Sequence, residues 1–228
     1  MLRRLVLVLL FFATPVLAGE KPYVTAADLD LTVFLPMPVK AGSPEDKRQQ
    51  GMVIEVQKAA TTERIELAVA DAKETVFDMY SRTLGEKFTV EALPKTTHMF
   101  ERVGESEDAV VDAAKPFYGR ARPFRANPEI KPLVRQSSSG SYPSGHATRV
   151  TAVAIILTSM IPEKRDLIWA RAYEYAESRV VGGMHYREDL DAGYRAGSAL
   201  AAVTMSNPEF RADYPEVRSE LRSALGLR

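Results

Sequence analysis

The sequence predicts a single all-α domain of packed helices, preceded by a proline-punctuated arm. Apolar residues recur at helical spacing along most of the chain, and alternating β patterns are almost absent. Ser, Thr, Asn and Pro stand where the periodic segments begin, and Gly stands where they end. A chain of 228 residues, 46% hydrophobic and 26% charged, suits one globular domain with a substantial core.

Taken in order, residues 1–18 read as a cleavable signal peptide. Arg3 and Arg4 supply the positive start, Leu5 to Ala13 is an apolar run, and Pro15 breaks it. Val16-Leu17-Ala18 then suits cleavage after Ala18. The run is far shorter than the roughly 20 residues that span a bilayer. The longest later apolar stretch, Thr151 to Ile161, is also too short, so no membrane span is expected after signal removal. Residues 19–42, with Pro22, Pro36 and Pro38, form the extended arm, and residues 43–228 form the helical domain.

Ser43 caps the first long helix with Pro44 at its first position. Thr61 or Thr62 caps a second, whose stripe Ile65, Ala68, Val69, Ala72, Val76, Met79 and Tyr80 runs unbroken to Gly85. After a loop that includes His98, read as structural or exposed, Ser106 opens a third helix through Val110, Val111 and Ala114. Residues 121–142, with three prolines and a serine run, read as loop. A helix from Ser144 to Met160 is apolar on most sides and is expected at the centre. Pro162 starts another, which runs to about Val180 and is stopped by Gly182-Gly183. The next covers Tyr186 to Met205. Asn207-Pro208 caps the last, and Pro215 is expected to interrupt or restart it.

Composition narrows the function. There is no cysteine, which removes disulfides, thiolate metal sites and cysteine nucleophiles. With 30 basic and 30 acidic side chains the formal charge is zero, so nucleic-acid binding is not expected.

Three segments carry unusual chemistry. In the second of them, Ser144 and Gly145 sit where loop becomes helix. A helix start exposes unpaired N–H groups and a partial positive charge that favour an anion, and Gly145 lets the backbone approach closely. His146 follows. Alone, this stretch fits an N-cap serine with a core histidine equally well. In the third, His185 precedes Asp189 by four residues, so a regular helix would place both on one face. The carboxylate would then accept the Nδ1 proton and leave a lone pair on Nε2. A surface His–Asp pair is the plainer alternative. Lys115 and Arg122 in the first segment, with Arg179, are the cations. Singly each reads as a solvated charge; together they would balance a phosphate dianion.

These residues resemble a known family. Lys115-x6-Arg122-Pro123, Pro143-Ser144-Gly145-His146 and Ser178-Arg179-x5-His185-x3-Asp189 fill the three motifs of the PAP2 and vanadium haloperoxidase superfamily. At average residue usage, Pro-Ser-Gly-His alone arises at roughly one in 10^5 start positions. The Gly140-Ser141-Tyr142 lead-in, the arm and the exported form are similar to the bacterial class A non-specific acid phosphatases. Two departures stand out: Ala147 where class A members usually have Thr, and Pro116 beside Lys115.

The resemblance implies a PAP2/haloperoxidase-type helical fold and an exported acid phosphatase, periplasmic or secreted, that hydrolyses phosphate monoesters through a phosphohistidine. His185 would be the nucleophile, Asp189 its partner and His146 the proton donor. Lys115, Arg122, Ser144, Gly145 and Arg179 would hold phosphate, with no metal and no cofactor. Small-molecule phosphate esters are the expected partners and inorganic phosphate or vanadate the expected inhibitors. Phosphotransfer and a homo-oligomer are compatible with the same sequence. The rival readings are a vanadium-dependent haloperoxidase, a membrane lipid-phosphate phosphatase and a non-catalytic helical anion-binding protein.

Overall fold

The computed structural model describes residues 20–228, and the expected signal peptide lies outside them. Those residues form helices and loops without a strand. Ten helical segments follow in order: α1 (Leu31–Phe34), α2 (Pro44–Ala59), α3 (Thr62–Ala70), α4 (Val76–Leu84), α5 (Pro94–Tyr118), α6 (Pro123–Ala126), α7 (Gly145–Met160), α8 (Arg165–Val181), α9 (Arg187–Ser206) and α10 (Pro208–Ala224). A 3-10 turn, Pro162–Lys164, leads into α8. Side-chain oxygens of Ser43, Thr61, Thr75, Ser144 and Asn207 cap their helices by accepting backbone N–H bonds two or three residues on.

The apolar helix α7 is the hub. Ten of its sixteen residues are buried, and it packs on α5, α8 and above all α9. The approach to α9 is close because α9 presents Gly193 and Gly197 to it. A Cβ on Gly193 would stand 2.7 Å from the Ala147 Cβ and 2.8 Å from the Ser144 carbonyl oxygen, and one on Gly197 would run into the Thr148 carbonyl. The arm is pinned by backbone partners. Tyr23 and Val24 N–H donate to Ser106 Oγ at 2.9 and 3.2 Å, and the hydroxyls of Tyr118 and Tyr142 donate to the carbonyls of Leu31 and Pro36, both at 2.8 Å.

Four expectations need correction. The helix expected from Thr61 or Thr62 to Gly85 is two, α3 and α4, separated at residues 71–75. Asp71 there turns inward to pair with Arg171 and to accept from Ser178 Oγ at 2.6 Å, and Thr75 starts a new helix. Ser106 does not open α5. That helix begins at Pro94, and Thr96, Met99, Phe100 and Val103 already form its buried stripe, so His98 is helical. His98 is exposed and faces Glu20 at 3.2 Å. Ser106 instead donates to the Arg102 carbonyl four residues back while receiving the arm's two amides. Pro215 does not interrupt α10, which is anchored on both sides of it by buried Phe210, Val217 and Leu221. Finally, the stretch 121–142, read as loop, contains the short helix α6 with Pro123 at its first position; before it, Pro116 sits in the last turn of α5 and left-handed Gly119 (φ 55°) closes that helix.

The α7–α9 contact predicts that Gly197→Ala lowers stability by about 1–3 kcal/mol, the usual range for overpacking. Gly51→Ala, in open space on α2, gains about 0.5–1 kcal/mol from helix propensity. Denaturant unfolding of both variants checks the opposite signs.

Candidate active site

At one end of α7 lies a pocket of about 920 Å³. Lys115, Arg122, Gly145, His146, Arg179 and His185 all line it, so the three motifs meet. Ser144 and Asp189 are fully buried and sit directly behind: Ser144 Oγ accepts from Ala147 N–H at 3.3 Å, and Ser144 N–H donates to the Asp189 carbonyl at 3.0 Å. Lys115 keeps its place despite Pro116, with Nζ 3.1 Å from Asp112 Oδ1.

His185 is buried. Arg122 Nη1 approaches its Nε2 at 3.0 Å. A guanidinium is only ever a donor, so Nε2 is the acceptor and the ring proton is on Nδ1. That nitrogen faces Asp189 Oδ2 at 3.5 Å. The pair does not share a helical face. His185 precedes α9, Tyr186 is its N-cap, and Asp189 at the third position folds back to accept Tyr186 N–H at 2.8 Å. Burial pushes the His185 imidazole well below its ordinary range, and the cations Arg122 and Arg179 push it further, so the ring is neutral.

His146 begins α7, stacks on Tyr175 and places Nδ1 2.6 Å from Glu74 Oε1. Burial and then the Arg179 charge depress it to about 4, opposed by the Glu74 carboxylate. Burial and the pocket cations therefore favour the neutral form of both histidines, whereas the resemblance assigns His146 a proton; a dianion that offsets Arg179 would favour the protonated ring.

Arg179 is the odd cation. It is buried in the last turn of α8, and its Nε and Nη1 have no hydrogen-bond partner among the described residues. A buried donor without an acceptor is costly, and an oxyanion in the pocket would satisfy it.

Several site residues carry no motif signal. Arg120 is buried with its guanidinium over the Tyr186 ring. It reaches Asp189 Oδ1 at 2.8 Å, Glu188 Oε2 at 2.7 Å and Gln49 Oε1 at 2.7 Å. Burial lifts the Asp189 carboxyl to about 7 against this arginine and the Tyr186 N–H. Glu74 was hidden inside what reads as one continuous helix. Glu107 lines the pocket and is held by Arg149 at 2.8 Å.

Residues 106–213 match the PAP2 superfamily. A non-specific acid phosphatase of Providencia stuartii is 34% identical over 203 residues, covering 84% of this chain and 81% of that protein. The chain belongs to the PAP2 superfamily, in its non-specific acid phosphatase family. The corresponding enzyme of Salmonella typhi is 31% identical over 68% of this chain and 64% of its own length. A bacterial vanadium-dependent iodoperoxidase shares the fold, with a TM-score of 0.56 at 19% identity over 76% of this chain and 52% of its own. Membership of this family makes the enzyme a phosphoric monoester hydrolase.

Because Arg122 is the foremost charge depressing His185, Arg122→Gln should raise the pH at which that imidazole titrates. Removing a like charge favours the protonated ring, and ¹⁵N NMR of the histidines reads the shift.

Proposed function

We propose that this chain is an exported, metal-independent acid phosphatase that works through a covalent phosphohistidine on His185. The observation that carries the reading is the His185 Nε2 lone pair, turned toward Arg122 in a pocket where Arg179 keeps unpartnered donors. A phosphoryl group entering there takes over the contacts of both arginines. Nε2 attacks phosphorus in line with the ester oxygen. Asp189 faces the Nδ1–H, and the positive ring that results draws its carboxyl, lifted by burial, into the ionised form that offsets the charge. Lys115, Arg122, Arg179 and the N–H groups at the start of α7 receive the equatorial oxygens, with Ser144 holding that helix start in shape. Their charge does the work that a metal does in other phosphatases.

His146 is the proton donor. Its Nδ1 is held by Glu74 at 2.6 Å, while Nε2 has only a long contact of 3.4 Å to the Ala72 carbonyl oxygen, so Nε2 is the side that serves the leaving oxygen and later takes a proton from water. The substrate's own charge brings His146 into its protonated form, which favours turnover in mildly acidic solution.

Export is proposed from Arg3, Arg4 and the apolar run Leu5 to Ala13. N-terminal sequencing of the native protein should give Gly19; a chain that retains Met1 would refute the leader. No helix among the described residues is long and apolar enough to cross a membrane.

His185→Ala should abolish turnover and the acid-labile phosphoenzyme seen on quenching with labelled substrate. His146→Ala should slow alkyl phosphates far more than nitrophenyl phosphate, whose leaving group needs no proton; equal losses would remove His146 from that role. EDTA should leave the rate unchanged, and vanadate should inhibit competitively.

A further inference from the structure

The pocket contains a carboxyl group for which the mechanism above has no use. Glu107, on α5, is 2% exposed. Its Oε2 is bonded by Arg149 Nε and Nη2, both at 2.8 Å, while Oε1 is turned toward the start of α7. A Cβ built on Gly145 would lie 2.8 Å from that Oε1 and 3.8 Å from Lys115 Nζ. The carboxyl oxygen thus stands beside the helix start and the lysine proposed to receive phosphate. An ionised carboxylate in that position competes with a phosphate dianion; a neutral acid in the same position is a hydrogen-bond donor aimed at it.

We propose that Glu107 is a further phosphate-binding residue. As a neutral acid its Oε1 hydroxyl donates to a phosphoryl oxygen held at Gly145 and Lys115. As a carboxylate it repels that oxygen, so phosphate bound near neutral pH brings one proton with it. The proposal rests on the pocket being the phosphoryl site. Every charged neighbour of Glu107 enters the balance: Arg149 from α7, Glu74 from the α3–α4 connection, and Asp108, Asp112 and Lys115 from α5, with His146 and Arg179 across the pocket. Burial dominates and, with Asp108 and Glu74, outweighs Arg149 and Lys115, lifting the carboxyl to about 7. The group therefore changes state near neutral pH. Below that pH it is a donor; above it the site carries an internal anion. Metal-free sites elsewhere use the same device, a carboxylic acid kept neutral by burial so that it can donate.

The test compares inhibition by inorganic phosphate in the wild-type enzyme and Glu107→Gln from pH 5 to 8. The amide is neutral at every pH and still donates. The two inhibition constants should agree at pH 5. By pH 8 the wild-type enzyme should be weaker by about tenfold, the penalty for deprotonation one unit above the carboxyl's value. Because both enzymes see the same ligand, phosphate's own titration cancels. A ratio that stays constant with pH, whether one or larger, overturns the proposal, since loss of the Arg149 pairing alone would weaken binding equally throughout. If Glu107→Gln does not fold, infrared difference spectra of the wild-type enzyme at pH 7.5 decide: phosphate should produce a protonated-carboxyl band, and its absence overturns the inference. Failure of phosphate to bind the wild-type enzyme at all would instead refute the phosphoryl site itself.

Discussion

The close contact of α7 with α9 sets everything else in this molecule. Two glycines, one helical turn apart on α9, let the backbones approach until the Ser144 carbonyl and Thr148 lie against the facing helix. Burial of Ala147, Val150, Ala154, Ala196 and Leu200 around this contact supplies the driving force. The consequence for the pocket lies at the helix starts. With the axes locked at that distance, the first turn of α7 falls beside the first turn of α9, and the Ser144 N–H bonds the Asp189 carbonyl at 3.0 Å. His146 and His185 reach one pocket because each leads its own helix from that junction. Neither needs a long flexible connection, so the geometry is built in before any ligand arrives.

Around this junction the interior carries more charge than a helical core of this size requires, and how each charge is matched separates structure from site. Arg171 is paired with Asp71 and Arg120 with Asp189, each partner being buried. Such pairs roughly offset their own desolvation, and they fix which way the chain must pack. Arg179 is buried to the same degree and has Nε and Nη1 left over. An oxyanion in the pocket would supply the acceptors that those donors lack. Arg120, which lines the same pocket, has only Nε left over, so Arg179 holds the larger unmet donor capacity there.

Much of this was legible in the sequence because the relevant signals are local. The caps Ser43, Ser144 and Asn207, the apolar run of α7 and the Gly182-Gly183 stop each depend on neighbours within a turn or two, and each stands where its residues place it. Lys115, Arg122, Gly145, His146, Arg179 and His185, drawn from all three motifs, line one pocket. What was illegible depends on partners far along the chain. The stripe from Ile65 to Tyr80 has an unbroken helical period, yet Asp71 leaves it to meet Arg171, one hundred residues away. No local pattern announces that exchange. Ser106 reads as a cap by type, but its hydroxyl is committed to the arm. Arg120 reads as one arginine among several until Asp189 and Gln49 are brought to it.

The break between α3 and α4 shows why the hidden part matters to chemistry. A continuous helix would carry residues 71–75 past the pocket as an ordinary surface turn. Interrupting it lets Asp71 tie to Ser178 and Arg171 on α8 while Glu74 swings to His146 Nδ1 at 2.6 Å. Ser178 and Arg179 are consecutive, and the chain uses them in opposite senses. The serine bonds inward to Asp71 and clamps α8, which leaves the arginine facing the pocket with its donors free. The same five residues thereby orient the proposed proton donor and hold the cation opposite it. A substitution at Asp71 would strip the clamp from α8 and leave Arg171 buried without its buried partner, so its effect on the pocket would arrive through packing and charge together. The site is therefore as much a product of this interrupted segment as of the three motifs that make it recognisable.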